Sequence, residues 1–155
     1  MAWSAKGIPD LSGRTALVTG ANGGLGLQTA HAFAARGAHV IIAARSQTKA
    51  SAAEAAIRAS VDGARLEVQP LDLGSLQSVR RLAAAVFAGH DHLDLLINNA
   101  GVMGAPRMET ADGFELQIGT NHLGHFALTA LLMPRLLAAP AARVVAVTSF
   151  ARLYG

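Results

Sequence analysis

The sequence predicts an α/β domain, a parallel sheet covered by helices on both faces, on the strength of three observations. Short β-branched runs alternate with longer alanine-rich runs, the β-branched runs are apolar almost without interruption, and a turn signal stands at each transition. Strands are predicted over Thr15–Thr19, 39–43, 66–70, 93–98 and 143–149, and helices over 25–36, Gln47–Ser60, 76–87 and 113–137.

Taken in order, the strands "TALVT", "HVIIAA", "LDLLIN" and "RVVAVTS" place apolar side chains on successive positions and so on both faces. Strands buried on both sides require this, whereas a half-solvated antiparallel strand would alternate. The first helix is expected to end at Gly37, a C-cap candidate after Arg36. Asp112, with Glu115 three residues on, forms a capping-box signature at the start of the long fourth helix. With no internal repeat, low-complexity tract or linker, the chain reads as a single unit of residues 13–155 behind an N-terminal extension of residues 1–12.

Composition agrees with this reading. A chain of 155 residues, 52% hydrophobic and 15% charged, has the size and content of one globular domain with a sizeable core. The net charge of +3 comes from Lys and Arg residues scattered along the chain, such as Lys6, Arg14, Arg36, Arg45, Lys49 and Arg58. No nucleic-acid-binding surface is expected from that distribution. Cysteine is absent, which excludes disulfides, thiolate metal sites and a thiol nucleophile. The N-terminus lacks a signal-like apolar core and no run approaches the ~18 apolar residues of a membrane span. A cytoplasmic protein is expected.

The segment "TGANGGLG", residues 19–26, joins the first strand to the first helix. In a doubly wound sheet, ligands bind beyond the carboxyl ends of the strands, and a glycine-rich turn there lets the backbone approach a pyrophosphate at a helix N-terminus. The spacing departs from G-x-G-x-x-G, because Thr29 stands where the third glycine would fall. It fits T-G-x-x-x-G-x-G through Thr19, Gly20, Gly24 and Gly26. By itself such a cluster is also compatible with an ordinary tight turn. The second strand leads to Arg45 and Ser46, in the region where an acidic residue would favour NAD, and a guanidinium there suits the 2′-phosphate of NADP. A solvent-facing arginine at a strand end is the plainer alternative.

Five segments in order, "TGANGGLG", "LDL" (71–73), "NNAG" (98–101), "TNHLGHF" (120–126) and "RVVAVTS", resemble the short-chain dehydrogenase/reductase family. "NNAGVM", "DGFE" and "TNHLGHF" resemble its retinol dehydrogenase and protochlorophyllide reductase-like branch. The resemblance implies a Rossmann-like doubly wound parallel sheet and an NADP-dependent oxidoreductase acting on a small carbonyl or alcohol, with NAD the less favoured cofactor. It assigns Gly20, Asn22, Gly24, Leu25 and Gly26 to the phosphates, Arg45 and Ser46 to the 2′-phosphate region, and Asp72 and Leu73 to the adenine. Asn99, Ala100 and Gly101 would line the ribose, and Gly23 stands where related turns commonly carry serine. Asn121 corresponds to the asparagine that positions a water in the proton relay, and Ser149 to the serine that hydrogen-bonds the substrate oxygen. A helix asparagine bonded to backbone and a strand-end serine are their structural alternatives.

The family's Y-x-x-x-K motif does not occur in these 155 residues, and Tyr154, their one tyrosine, lies too soon after Ser149 to serve as the acid. A phenol of pKa about 10 donates a proton well near neutrality only beside positive charge, which the family's lysine supplies. The expected reading is a fold truncated after the fifth strand, the N-terminal part of a longer reading frame and inactive alone. A non-catalytic dinucleotide-binding or interaction protein is the alternative. A homo-oligomer formed through the helix containing Asn121 is a third expectation.

Overall fold

The computed structural model describes residues 4–149. Five parallel strands, β1 (Thr15–Thr19), β2 (His39–Ala44), β3 (Arg65–Pro70), β4 (Leu95–Asn98) and β5 (Arg143–Ala146), lie in the order β3-β2-β1-β4-β5. The helices between them are α1 (Gly24–Ala34), α2 (Gln47–Ser60), α3 (Leu76–Gly89), the short α4 (Leu116–Ile118) and α5 (Gly124–Ala138). This is the predicted doubly wound Rossmann-like architecture.

Alternate residues of the central strands feed two separate cores. Val18, Val40, Ile42 and Ile97 pack with Ala30 and Ala34 of α1 and with Ala50 and Ile57 of α2. Their neighbours Leu17, Ile41 and Leu96 turn to the other face, against Val79, Leu82 and Val86 of α3 and Leu128, Leu132 and Leu136 of α5. Burying each such side chain contributes about 1.5–3 kcal/mol, so continuous apolar strands are what holds helices on both faces. The alanines of α1 and α2 let those helices lie close to the sheet.

The boundary drawn at residue 12 does not separate an independent segment. Leu11 is buried in the first core, and its N–H donates to the Arg36 carbonyl at 2.8 Å. A single 3-10 turn, Ala5–Gly7, precedes it. Gly37 adopts φ +85°, as its place after α1 predicts, although the helix itself closes at Ala34.

The long fourth helix is the main departure from expectation. It is interrupted by a π-turn, Gly119–Leu123, between α4 and α5. Asp112 does not cap it: Glu115 is the N-cap, accepting from the Gln117 and Ile118 N–H groups, while Asp112 Oδ2 accepts from Leu76 N–H at the start of α3. The capping signature failed because an aspartate in a loop serves whichever helix end the tertiary fold brings near. β5 is also shorter than predicted, closing at Ala146, and lies at the sheet edge with Val144 and Val145 exposed. Among the described residues no helix is long and apolar enough to cross a membrane.

At the amino ends of the strands, buried Asp94 ties β1 to the segment entering β4. Its Oδ2 accepts the Thr15 N–H at 2.9 Å, and Arg14 Nη1 lies 3.4 Å from Oδ1. Asp94→Ala leaves the buried Thr15 N–H without this acceptor and is expected to lower stability by about 1–3 kcal/mol in urea denaturation. An unchanged midpoint would show that the carboxylate does not hold the strands together.

Candidate cofactor-binding site

The carboxyl ends of β1, β2 and β4 converge where strand order reverses, with β2 and β4 on either side of β1. Above them lies a cavity of about 540 Å³, within the size range of small-molecule and cofactor pockets. The turn after β1 forms one wall through Gly20, Asn22, Gly23 and Leu25. Arg45, Ser46 and Lys49, at the entrance to α2, form another. Asp72 and Leu73 line it after β3, and Asn99, Ala100 and Gly101 after β4.

Gly24 and Gly26 do not line the cavity; they shape the turn that does. Gly24 opens α1 at φ +52° and Gly20 sits at φ +67°, backbone conformations that side chains rarely tolerate. At Gly26 the constraint is space, since a Cβ would stand 2.5 Å from both the Gly20 carbonyl oxygen and Asn99 Nδ2. The two glycine-bearing segments therefore touch without side chains, and α1 presents its N-terminus, with unpaired N–H groups, towards the cavity.

Thr19 closes the floor. Its Oγ1 accepts the N–H groups of Asn99 and Ala100, each at 2.9 Å, while its carbonyl oxygen accepts from Asn99 Nδ2 at 2.8 Å. Asp72 is held in its own loop, Oδ1 accepting the Gly74 N–H and its N–H donating to Ser78 Oγ. Ser46 caps α2 by accepting from Lys49 N–H at 3.4 Å.

Asn121 lies in the π-turn and is not among the lining residues, although its neighbour Thr120 is. Its Oδ1 accepts Val102 N–H and its Nδ2 donates to the Val102 carbonyl, both at 2.8 Å. Both ends of the amide thus hold the segment after β4, as the backbone-bonded alternative anticipated. Ser149 lies three residues past β5 and is not among the lining residues, although Val147, two positions before it, is. Tyr154 lies outside the described residues.

The sequence reading missed Lys49, Thr120, Val102 and His125. Lys49 had a readable signal: with Arg45 it places two cations by the N-terminus of α2, whose first turn holds no acidic residue. Positive charge is unfavourable at that end of a helix unless an anion joins it. His125 had none, because its side-chain partner Thr19 is remote in sequence. It is buried, and burial pushes its pKa below the usual 6.5, a shift partly opposed by its bond to the Asn121 backbone.

The arrangement fits an extended, phosphorylated dinucleotide: a side-chain-free cradle by a helix N-terminus, and two cations at the far wall. Gly26→Ala is expected to cost about 1–3 kcal/mol of stability by overpacking. Gly23→Ala, with extended backbone and open space around the added methyl, should cost little. Equal thermal melting of the two variants would mean the Gly20–Gly26–Asn99 contact is not tight.

Comparison with known proteins agrees with the architecture and the motifs. The short chain dehydrogenase family model matches residues 14–155. Human retinol dehydrogenase 13 is 45% identical over 145 residues, covering 94% of this chain and 44% of that protein. The crystal structure of an uncharacterized protein from Mycobacterium paratuberculosis superposes with a TM-score of 0.84 at 50% identity, covering 97% of this chain and 52% of the other. A metagenomic short-chain oxidoreductase in complex with NADP superposes with a TM-score of 0.74 at 33% identity, covering 87% of this chain and 62% of the other. The chain spans about half the length of the curated relatives it matches. With the family pattern running from Arg14 through every strand and the glycine turn, this chain belongs to the short chain dehydrogenase family of oxidoreductases, on its retinol dehydrogenase-like branch.

Proposed function

We propose that the cavity binds NADP(H) and forms the cofactor half of a site for hydride transfer between the nicotinamide and a small carbonyl or alcohol. The observation that carries this reading is a single cavity with the glycine turn on one wall and Arg45, Ser46 and Lys49 on another. The NADP complex of a structural relative supports it.

In this reading, backbone N–H groups at the start of α1 meet the pyrophosphate, with Gly20, Asn22, Gly23 and Leu25 shaping the approach and Gly24 and Gly26 fixing the turn. Arg45 forks onto the 2′-phosphate and Lys49 adds a second charge, while Ser46 holds the helix end between them. Asp72 and Leu73 flank the adenine, and Asn99, Ala100 and Gly101 line the ribose. Bound cofactor supplies or accepts the hydride. Ser149 hydrogen-bonds the substrate oxygen, and Asn121 sets the position of the rim beside it. Carbonyl reduction also needs a proton for the developing alkoxide, and no Y-x-x-x-K motif is present in residues 1–155 to provide it.

Arg45→Glu replaces a charge-assisted contact with repulsion, and each such contact contributes about 1.5–3 kcal/mol, so NADPH affinity should fall roughly tenfold to a hundredfold. NADH affinity should change little, as read by calorimetric titration. Equal losses for the two nucleotides would remove Arg45 from the 2′-phosphate. The same reading places self-association on α5, which exposes Phe126, Leu131 and Leu137. Sedimentation should show a concentration-dependent dimer, and a monomer at every concentration would exclude it.

A further inference from the structure

We propose that His125 is a positioning residue that braces the wall formed by the segment after β4, joining the π-turn that carries Asn121 to the Thr19 hydroxyl that fixes Asn99 and Ala100. The proposal deepens the nucleotide-binding reading and rests on it for its functional consequence.

The hydrogen bonds determine how the imidazole is used. His125 Nδ1 lies 3.0 Å from the Asn121 carbonyl oxygen, which can only accept. Nδ1 therefore carries the ring proton, and in the neutral ring Nε2 is an acceptor. Nε2 lies 2.9 Å from Thr19 Oγ1, so the Thr19 hydroxyl donates to it in preference to the Ile97 carbonyl at 3.3 Å. With its proton directed at His125, the Thr19 oxygen keeps both lone pairs for the Asn99 and Ala100 N–H groups. The threonine hydroxyl is then fully used, one donor and two acceptors. A protonated imidazole would put a third donor against that oxygen, and burial opposes such protonation.

The chain of contacts leaves the segment after β4 at Val102 and returns to it at Asn98 without a gap. Asn121 holds Val102 by both ends of its amide, and its carbonyl is held by His125. The backbone of His125 is fixed in turn, its carbonyl accepting from Thr129 Oγ1, which accepts from Asn98 Nδ2. His125 thus sets the segment from Asn98 to Val102 from both sides, through Thr19 below and Asn121 above. A residue that only filled the core would need no particular tautomer and no polar partners.

The test is amide hydrogen exchange and NADPH titration on the 155-residue chain, comparing wild type with His125→Asn and His125→Leu. Asparagine retains a donor near the place of Nδ1 and loses the Thr19 link; leucine loses both. Exchange at Asn99 and Ala100 should quicken roughly tenfold in both variants, and at Val102 only in His125→Leu, with Ile41 in the centre of the sheet unchanged. NADPH affinity should weaken in the same order. Unchanged exchange at Asn99 and Ala100 in a folded variant would overturn the proposal. If neither variant folds, ring nitrogen shifts of wild type decide it: a bare Nε2 and protonated Nδ1 support the coupling, and the opposite tautomer overturns it. Variants that show the predicted exchange pattern, with a wild type that binds no NADPH, would defeat the nucleotide reading and leave the coupling standing.

Discussion

The carboxyl ends of β1 and β4 are joined at Thr19, through its hydroxyl and its carbonyl oxygen, and the arrangement of the site follows from that junction. A parallel sheet hydrogen-bonds its strands along their length but leaves the loops beyond them unpaired. At the point where strand order reverses, two such loops must diverge to open a crevice and still be held in register. Thr19 meets both needs, accepting the N–H groups of Asn99 and Ala100 just where the β4 ladder ends. Gly26 completes the junction by letting the glycine turn approach Asn99 with no side chain between them.

From that junction the two halves of the molecule acquire different tasks. The face covered by α1 and α2 carries the glycine turn and the cations at the start of α2, a wall suited to charge. The face covered by α3 and α5 carries Asp72, Leu73 and the π-turn, a wall built from side-chain-to-backbone hydrogen bonds and close backbone contact. Gly124 illustrates the second kind: a Cβ there would overlap the Leu73 carbonyl, so the start of α5 can pass directly over the loop after β3. The helix break at Gly119–Leu123 sits immediately before that crossing.

Most of the architecture was legible because it depends on local chemistry repeated along the chain. Continuous apolar runs identified buried strands and alanine-rich runs identified helices, and the helix expected over Gln47–Ser60 is found with those bounds. The glycine turn and Arg45 were legible for the same reason, as features of a strand-to-helix junction. The failures share an opposite property. Asp112 accepts the Leu76 N–H in the first turn of α3, thirty-six residues before it, and Asn121 bonds to Val102 across nineteen residues. His125 meets Thr19 across 106.

The sequence by itself determined the fold class, the strand that leads into the glycine turn, and the cation that follows the second strand, since each is encoded in periodicity or in neighbouring residues. The tertiary structure alone decided that the fourth helix breaks, that Lys49 shares a wall with Arg45, and that a buried histidine links the turn of Asn121 to the end of β1. The physical reason is that hydrogen bonds between distant segments leave no period in the sequence. Their partners are selected only when the sheet has brought them within reach.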